Sequence, residues 1–113
     1  MNKREKELPL PSRERIISIL KKELPQLKEK YGVQKIILYG SFAKGNPKKT
    51  SDVDILVDIN KSIGLEFVAL ADVLENKLGR KVDIATLSHY KQSFGNPRYK
   101  HIAEDIRKSM IYV

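Results

Sequence analysis

Two aspartates open the most strand-like stretch of the chain, and their spacing limits how that stretch can fold. Asp52-Val53-Asp54 begins a run of mainly branched apolar residues that ends at Ile59. In a β-strand, residues i and i+2 lie on one face about 6.5–7 Å apart, so the two carboxylates would point together and Val53 would point away. Carboxylates are costly to bury without partners. The pair therefore predicts a site for cations and phosphate.

The size and composition of the chain limit the remaining possibilities. Its 113 residues are enough for one domain with one modest core. The absence of cysteine excludes disulfides and thiolate metal sites. No apolar run approaches the ~20 residues of a membrane span, and no signal-type stretch follows the charged start. We therefore expect a cytoplasmic protein with no membrane association, in which residues 1–11 form a flexible basic arm and residues 12–113 form a single domain.

The net charge of +8 indicates an affinity for negatively charged partners. Such a field attracts nucleotides, nucleic acid or an acidic protein, although a lysine-rich solvated surface accounts for it equally well. No segment alternates basic and aromatic residues in the manner of a nucleic-acid surface. Nucleic acid is thus a possible partner but not the favoured one.

Helical and strand-like patterns alternate along the chain, which predicts an α/β domain of two or three layers. A helix should begin after Ser12, kink or restart at Pro25 and end near Gly32. The other predicted elements are a strand over 35–39, a short helix over 42–44, a strand over 53–59, a helix over 65–78, a strand over 80–86, a loop over 88–97, a helix over 98–108 and a terminal strand over 110–113. The helix over 65–78 should bury the stripe Leu65, Val68, Ala71, Leu74 and Leu78.

The turn between the first predicted strand and the short helix is a candidate phosphate site. Gly40 permits a tight turn, and Ser41 then lies where unpaired N–H groups at a helix start favour an anion. Lys44, one turn later, can either reach a phosphate or face water. A Gly-Ser pair is also common in ordinary turns and caps, and the Walker pattern is absent from the chain.

The acidic residues form the stronger half of the prediction. Asp52 and Asp54 together can bridge magnesium ions that share their coordination shell with substrate phosphates. Alternatively, Asp52 starts the strand and Asp54 alone is buried in a hydrogen bond. Asp83, in the next predicted strand, shares the burial argument and can complete a carboxylate triad that takes a proton from an acceptor hydroxyl. It can equally be an edge-strand residue.

Other polar and aromatic residues receive simpler interpretations. Asp58 lies four residues after Asp54, about 13 Å along a strand, which is too far to share an ion. His89 and His101 are expected in a loop and on a helix surface. Tyr39 and Phe42 are expected to pack around the Gly-Ser turn.

Taken together, these motifs resemble a known family. The segments LYGSFAKGNPKKTSDVDILVDI and LGRKVDIATL are similar to those of the minimal nucleotidyltransferase (MNT) proteins, within the DNA polymerase β-like nucleotidyltransferase superfamily. The resemblance runs from about residue 13 to the C-terminus. It implies the nucleotidyltransferase fold, a small mixed β-sheet flanked by helices, and transfer of a nucleoside monophosphate from a nucleoside triphosphate with two Mg²⁺ ions.

The resemblance also assigns roles to individual residues. Gly40 and Ser41 would hold the triphosphate of ATP, and Lys44 stands where the family commonly has a basic residue. Asp52 and Asp54 would ligate the ions. Asp83 would bind one ion and orient or deprotonate the acceptor.

Many MNT proteins are antitoxins paired with a HEPN-domain ribonuclease toxin. The resemblance therefore implies an adenylyltransferase that modifies a tyrosine hydroxyl on such a partner. Three alternatives remain open from the sequence: nucleotidyl transfer to a small molecule, a contact-only antitoxin with a vestigial site, and a nucleic-acid-binding domain driven by the positive charge.

Overall fold

The computed structural model describes residues 10–59 and 65–113. The predicted basic arm over residues 1–11 lies outside these ranges except for Leu10 and Pro11. Among the described residues, no helix is both long enough and apolar enough to cross a membrane.

The described residues alternate between helices and strands. In chain order the elements are α1 (Arg13–Tyr31), β1 (Val33–Tyr39), α2 (Gly40–Lys44), β2 (Val53–Ile59), α3 (Leu65–Leu78), β3 (Val82–Thr86), α4 (Leu87–Ser93), α5 (Lys100–Ser109) and β4 (Ile111–Tyr112).

The strands form one mixed sheet in the order β3-β2-β1-β4. β1 is antiparallel to β2 and to β4, whereas β2 is parallel to β3. The parallel pair is possible because α3 carries the chain back across the sheet between β2 and β3. Helices α1 and α3 pack together on one face, and α4 and α5 cover the other. The predicted α/β fold with a small mixed sheet flanked by helices is confirmed.

Alternation along β2 sorts its side chains between two apolar clusters. Val53, Ile55 and Val57 are fully buried in the cluster under α1 and α3. Leu56 belongs to the second cluster, under α4 and α5. Because residues i and i+2 share a face, Asp54 lies on the same side as Leu56, at the end of the sheet. Burial of Val53, Ile55 and Val57 in the cluster under α1 and α3 therefore fixes which face of β2 is buried there, and Asp54 lies on the other face.

Helix α1 begins and ends at the predicted caps. The Ser12 hydroxyl accepts a hydrogen bond from the Arg15 amide at 3.1 Å. At the other end, Gly32 has φ 74°, and its N–H donates to the carbonyls of Leu27 and Lys28. The helix is continuous through Pro25, so the predicted restart does not occur there.

The predicted loop over residues 88–97 is wrong in its first half, where the structure has α4. The Thr86 side chain caps this helix by accepting from the His89 amide at 3.1 Å. Leu87 and Tyr90 are buried on its inner face, and the Tyr90 hydroxyl donates to the Ala103 carbonyl. A helix of two turns shows only one such apolar pair, which is too little periodicity to recognise in the sequence.

The buried face of α3 also differs from the predicted stripe. Val68 is 60% exposed, whereas Leu70, Leu74 and Leu78 are buried. The predicted stripe is therefore wrong at Val68, because the helix turns Leu70 toward the sheet instead. β3 begins at Val82 and α5 at Lys100, two residues later than predicted in each case.

Candidate functional site

Three polar side chains lie in one row across the sheet. Tyr39, at the end of β1, is the register partner of Asp54 in β2. Asp54 is in turn the partner of Asp83 in β3. Register partners on neighbouring strands point to the same face with their Cβ atoms about 5 Å apart. The structure thus brings together Asp54 and Asp83, which are 29 residues apart in the sequence.

The carboxyl group of Asp54 has a raised pKa. Burial and, after it, the negative charges of Asp83 and Asp52 together raise this pKa from 3.8 to about 6. Burial and, after it, the negative charges of Asp54 and Asp83 raise the pKa of Tyr39 to about 12. Tyr39 packs against the second apolar cluster, in line with its expected packing role, and its register pairing with Asp54 also places it beside the acids. Phe42 is buried in the core, as expected.

The other two acids are more exposed than Asp54. Asp52 is the last residue before β2 and is exposed. Asp83 is also exposed, because β3 is the edge strand of the sheet. Of the two interpretations of this residue, the edge-strand position is therefore the one observed, and the burial argument does not apply to it. Within the described ranges, no three histidine or acidic side chains are grouped closely enough to hold a metal ion by themselves. A cation bound here would need further oxygen ligands from substrate or water.

The Gly40-Ser41 turn lies directly against Asp54. Gly40 has φ 76°, a left-handed conformation that disfavours any side chain. A Cβ atom added there would overlap the Asp54 carboxylate, with its Cγ only 3.1 Å away. Ser41 is half-buried beside this contact, and Lys44 is exposed in the last turn of α2. The predicted phosphate segment and the predicted acidic segment are therefore adjacent.

Ser109, at the end of α5, anchors this turn. The Gly40 N–H donates to the Ser109 hydroxyl at 3.0 Å, and that hydroxyl donates to the Ile106 carbonyl at 3.1 Å. The Gly40 amide is thus engaged within the protein, so the donors that remain at this helix start belong to Ser41 and the residues after it. Sequence reasoning missed Ser109, because 69 residues separate it from Gly40 and no motif marks it.

Replacing Ser109 by Ala is expected to lower the free energy of unfolding by about 1–3 kcal/mol, since the Gly40 N–H loses its acceptor. Urea unfolding of the two proteins measures the change. Ser93→Ala is the control, because the Ser93 hydroxyl also donates to a helical carbonyl but accepts no such amide. Equal losses in both variants would contradict the anchoring role.

Asp54 should make the metal-free protein less stable as pH rises. Its pKa is higher in the folded state than its ordinary value of 3.8, so the folded protein binds more protons than the unfolded chain between pH 3.8 and about 6. Stability conferred by the protonated form is lost across that range. We expect Asp54→Asn to raise the melting temperature in EDTA above pH 6 and to have little effect below pH 4. A difference that does not depend on pH would contradict this assignment.

The arrangement combines two chemical capacities at one end of the sheet. The carboxylates of Asp52, Asp54 and Asp83 offer hard oxygen ligands of the kind that Mg²⁺ prefers. The N–H groups after Gly40 and the Ser41 hydroxyl offer donors to an anion. Groups suited to binding cations and groups suited to binding an anion are therefore adjacent, and Asp83 lies on the exposed edge strand.

Comparison with known proteins connects this site to a family. Residues 17–113 match the family model described as the nucleotidyltransferase domain. The protein adenylyltransferase MntA of Thermococcus cleftensis is 37% identical over 101 residues, which cover 88% of this chain and 94% of that protein. A Methanocaldococcus jannaschii protein provisionally named a protein adenylyltransferase is 39% identical over 99 residues, covering 87% of this chain and 94% of the relative.

Solved structures show the same fold. The structure of a provisionally assigned minimal nucleotidyltransferase superposes with a TM-score of 0.64 at 26% identity, covering 89% of this chain and 95% of that one. A mutant of the MntA-HpeT toxin–antitoxin superposes with a TM-score of 0.51 at 20% identity, covering 88% and 84% of the two chains.

Proposed function

The chain belongs to the nucleotidyltransferase domain family, and on that premise we propose that it transfers AMP from ATP to a hydroxyl group of a partner protein. The observation that carries the proposal is the alignment of Asp54 with Asp83 beside the Gly40 turn. The protein acceptor is supported by relatives named protein adenylyltransferases, which this chain matches over 94% of their length. We further propose residues 12–113 as a single catalytic domain.

Magnesium fits the acidic side of the site. Asp54 is the register partner of Asp83 and lies two residues after Asp52, so the three carboxylates offer oxygen ligands at one end of the sheet. We assign Asp52 and Asp54 as ligands of two Mg²⁺ ions and Asp83 as a ligand of one. When bound, such ions neutralise charge on the reacting phosphate and lower the barrier to displacement.

The Gly40 turn supplies the phosphate side. Gly40 allows the backbone to pass against Asp54 without overlap, which keeps the donors of Ser41 next to the proposed ions. Lys44 is exposed one turn later and can add a positive charge near the terminal phosphates. These groups would hold the triphosphate with its α-phosphorus toward the acids.

We assign Asp83 as the base that takes the proton of the acceptor hydroxyl. Its exposure on the edge strand leaves the carboxylate open to a hydroxyl brought by another molecule. The acceptor oxygen would form a bond to the α-phosphorus as the bond to pyrophosphate breaks, and the carboxylate would take the hydroxyl proton.

The proposed acceptor is a tyrosine of a HEPN-domain toxin, and the proposed biological role is that of an antitoxin. Support comes from the resemblance to MNT antitoxins and from the MntA name of one relative. Relatives named protein adenylyltransferases favour an acceptor site on another protein.

Co-expression with the protein encoded next to this chain tests the proposal. We expect the neighbour to gain the mass of AMP on a tyrosine, and Asp52→Asn with Asp54→Asn to prevent both the modification and the rescue of growth. Rescue without modification would instead favour a contact-only antitoxin. If growth is not rescued and the neighbour is not modified, the remaining candidate is a small-molecule acceptor.

A further inference from the structure

Arg80 contacts two other segments of the candidate site from a position just before β3. Its guanidinium donates to the Lys49 carbonyl at 2.7 Å and to the Ser51 carbonyl at 3.2 Å. The same group lies over the Phe42 ring, with its central carbon 5.4 Å from the ring centroid. One side chain thus joins the loop before Asp52, the α2 segment and the start of β3.

The loop before Asp52 is a closed turn that presents its carbonyls to this arginine. The Lys48 amide donates to the Ser51 hydroxyl, and the Ser51 amide donates to the Lys48 carbonyl, both at 2.9 Å. These bonds shape the turn, but they do not fix where it lies on the domain. On its C-terminal side the turn is held by the Val53 N–H, which donates to the Lys81 carbonyl at 2.9 Å, and the contacts with Arg80 hold the turn itself. The Ser51 carbonyl that Arg80 binds belongs to the peptide group joined to Asp52.

Phe42 links the same arginine to the opposite side of the site. It directly follows Ser41 in α2, and its side chain is 1% exposed, so its ring cannot move without disturbing the core. An arginine stacked on a fixed ring has a defined orientation. Arg80 therefore connects the turn over residues 48–51, just before Asp52, to α2, the segment proposed to hold the triphosphate.

Stability alone does not account well for this arrangement. The Nε atom of Arg80 is buried and has no hydrogen-bond partner among the described residues. A buried donor without a partner costs free energy. Within the same residues, no carboxylate forms an ion pair with Arg80. The planar guanidinium is nevertheless suited to binding two carbonyls while stacking on a ring, which a lysine ammonium cannot do.

We propose that Arg80 is a positioning residue for the nucleotide–metal site, holding Asp52 at a fixed place relative to Ser41. The inference rests on the proposed function, because it assumes that Asp52 ligates a cation bound with the triphosphate. In this proposal Arg80 acts through the turn over residues 48–51, to which its guanidinium is hydrogen-bonded, and not as a ligand of the ion or the nucleotide. Its removal should therefore weaken metal-dependent nucleotide binding more than it weakens the fold.

The test measures binding without turnover. The probe is α,β-methylene-ATP, which cannot release pyrophosphate, titrated by calorimetry into the full chain at several Mn²⁺ concentrations. Arg80→Ala and Arg80→Lys are compared with Arg98→Ala, which removes an exposed arginine distant in sequence from the turn. We expect both Arg80 variants to require about 10- to 100-fold more Mn²⁺ for half-maximal binding, and the control to match the native chain.

Hydrogen exchange separates positioning from general unfolding. Arg80→Lys keeps the charge and the aliphatic stem but loses the planar guanidinium that binds both carbonyls. We therefore expect faster exchange at the amides of Ser51 and Val53 and unchanged exchange in β1. Folded Arg80 variants with the native Mn²⁺ dependence would overturn the inference while leaving the proposed function intact. A native chain that binds no probe at any Mn²⁺ concentration would overturn both.

Discussion

Nucleotidyl transfer is expected to fall by about three orders of magnitude when Asp54 is replaced by Asn, because several kcal/mol of transition-state stabilisation depend on the ions it is proposed to hold. Asn has nearly the same size and keeps one oxygen, so the fold should survive the change. The free energy of unfolding should even rise at neutral pH, since a partly buried and repelled charge disappears. Initial rates at saturating Mg²⁺ measure the effect.

Asp58→Asn provides the matched control for this substitution. Asp58 lies in the same strand and on the same face as Asp54, but it borders α4 together with Leu87 and Lys91. We expect the native rate from this variant, since its carboxylate is too far along the strand to share an ion. The assignment of Asp54 would be contradicted if Asp54→Asn kept more than about a tenth of the native rate, or if both variants lost activity equally.

Gly40→Ala is expected to be nearly as damaging to transfer and much more damaging to the fold. A left-handed conformation costs an alanine roughly 1–2 kcal/mol. Its Cβ would also overlap the Asp54 carboxylate, which must then move. Displacement of a reacting group by about 1 Å can lower a rate a hundredfold. We therefore expect a lower melting temperature and, in the folded fraction, about a hundredfold slower transfer.

Gly79→Ala separates backbone strain from this overlap. Gly79 has φ 68°, close to that of Gly40, but an added Cβ atom meets nothing within 4 Å. It should therefore show the loss of stability that strain alone produces, with an unchanged rate per folded molecule. If the two glycine variants had equal effects on stability and on rate, the close approach of Gly40 to Asp54 would have no functional consequence.

The sequence predicts most of the fold because its strongest signals are local. Periodicity and caps define α1, and the alternation of Val53, Ile55 and Val57 defines β2 and its buried face. The mixed strand directions were implied only by the family resemblance, since they depend on pairing between distant segments. Helix α4 was missed because its tertiary contacts through Leu87 and Tyr90 determine it more than its short local pattern does.

For the candidate site, sequence reasoning identified the acids but not the groups around them. The spacing of Asp52 and Asp54 follows from strand geometry, whereas the alignment of Asp54 with Asp83 requires the register of a parallel pair. Tyr39 was interpreted as a packing residue because nothing local indicates that its register partner is an acid. Ser109 and Arg80 contribute through hydrogen bonds to backbone groups, which leave no residue-type pattern in the sequence.

Transfer of the nucleotidyl group of ATP to a protein hydroxyl, as proposed for this chain, moves the α-phosphate and not the γ-phosphate to the acceptor. The most direct measurement offers the protein encoded next to this chain ATP labelled either at the α-phosphate or at the γ-phosphate, with Mg²⁺ and with native or Asp54→Asn enzyme. We expect stable label on the neighbour from α-labelled ATP alone, and none with the variant. Label from γ-labelled ATP, or none from any of the four α-labelled nucleoside triphosphates, would contradict it.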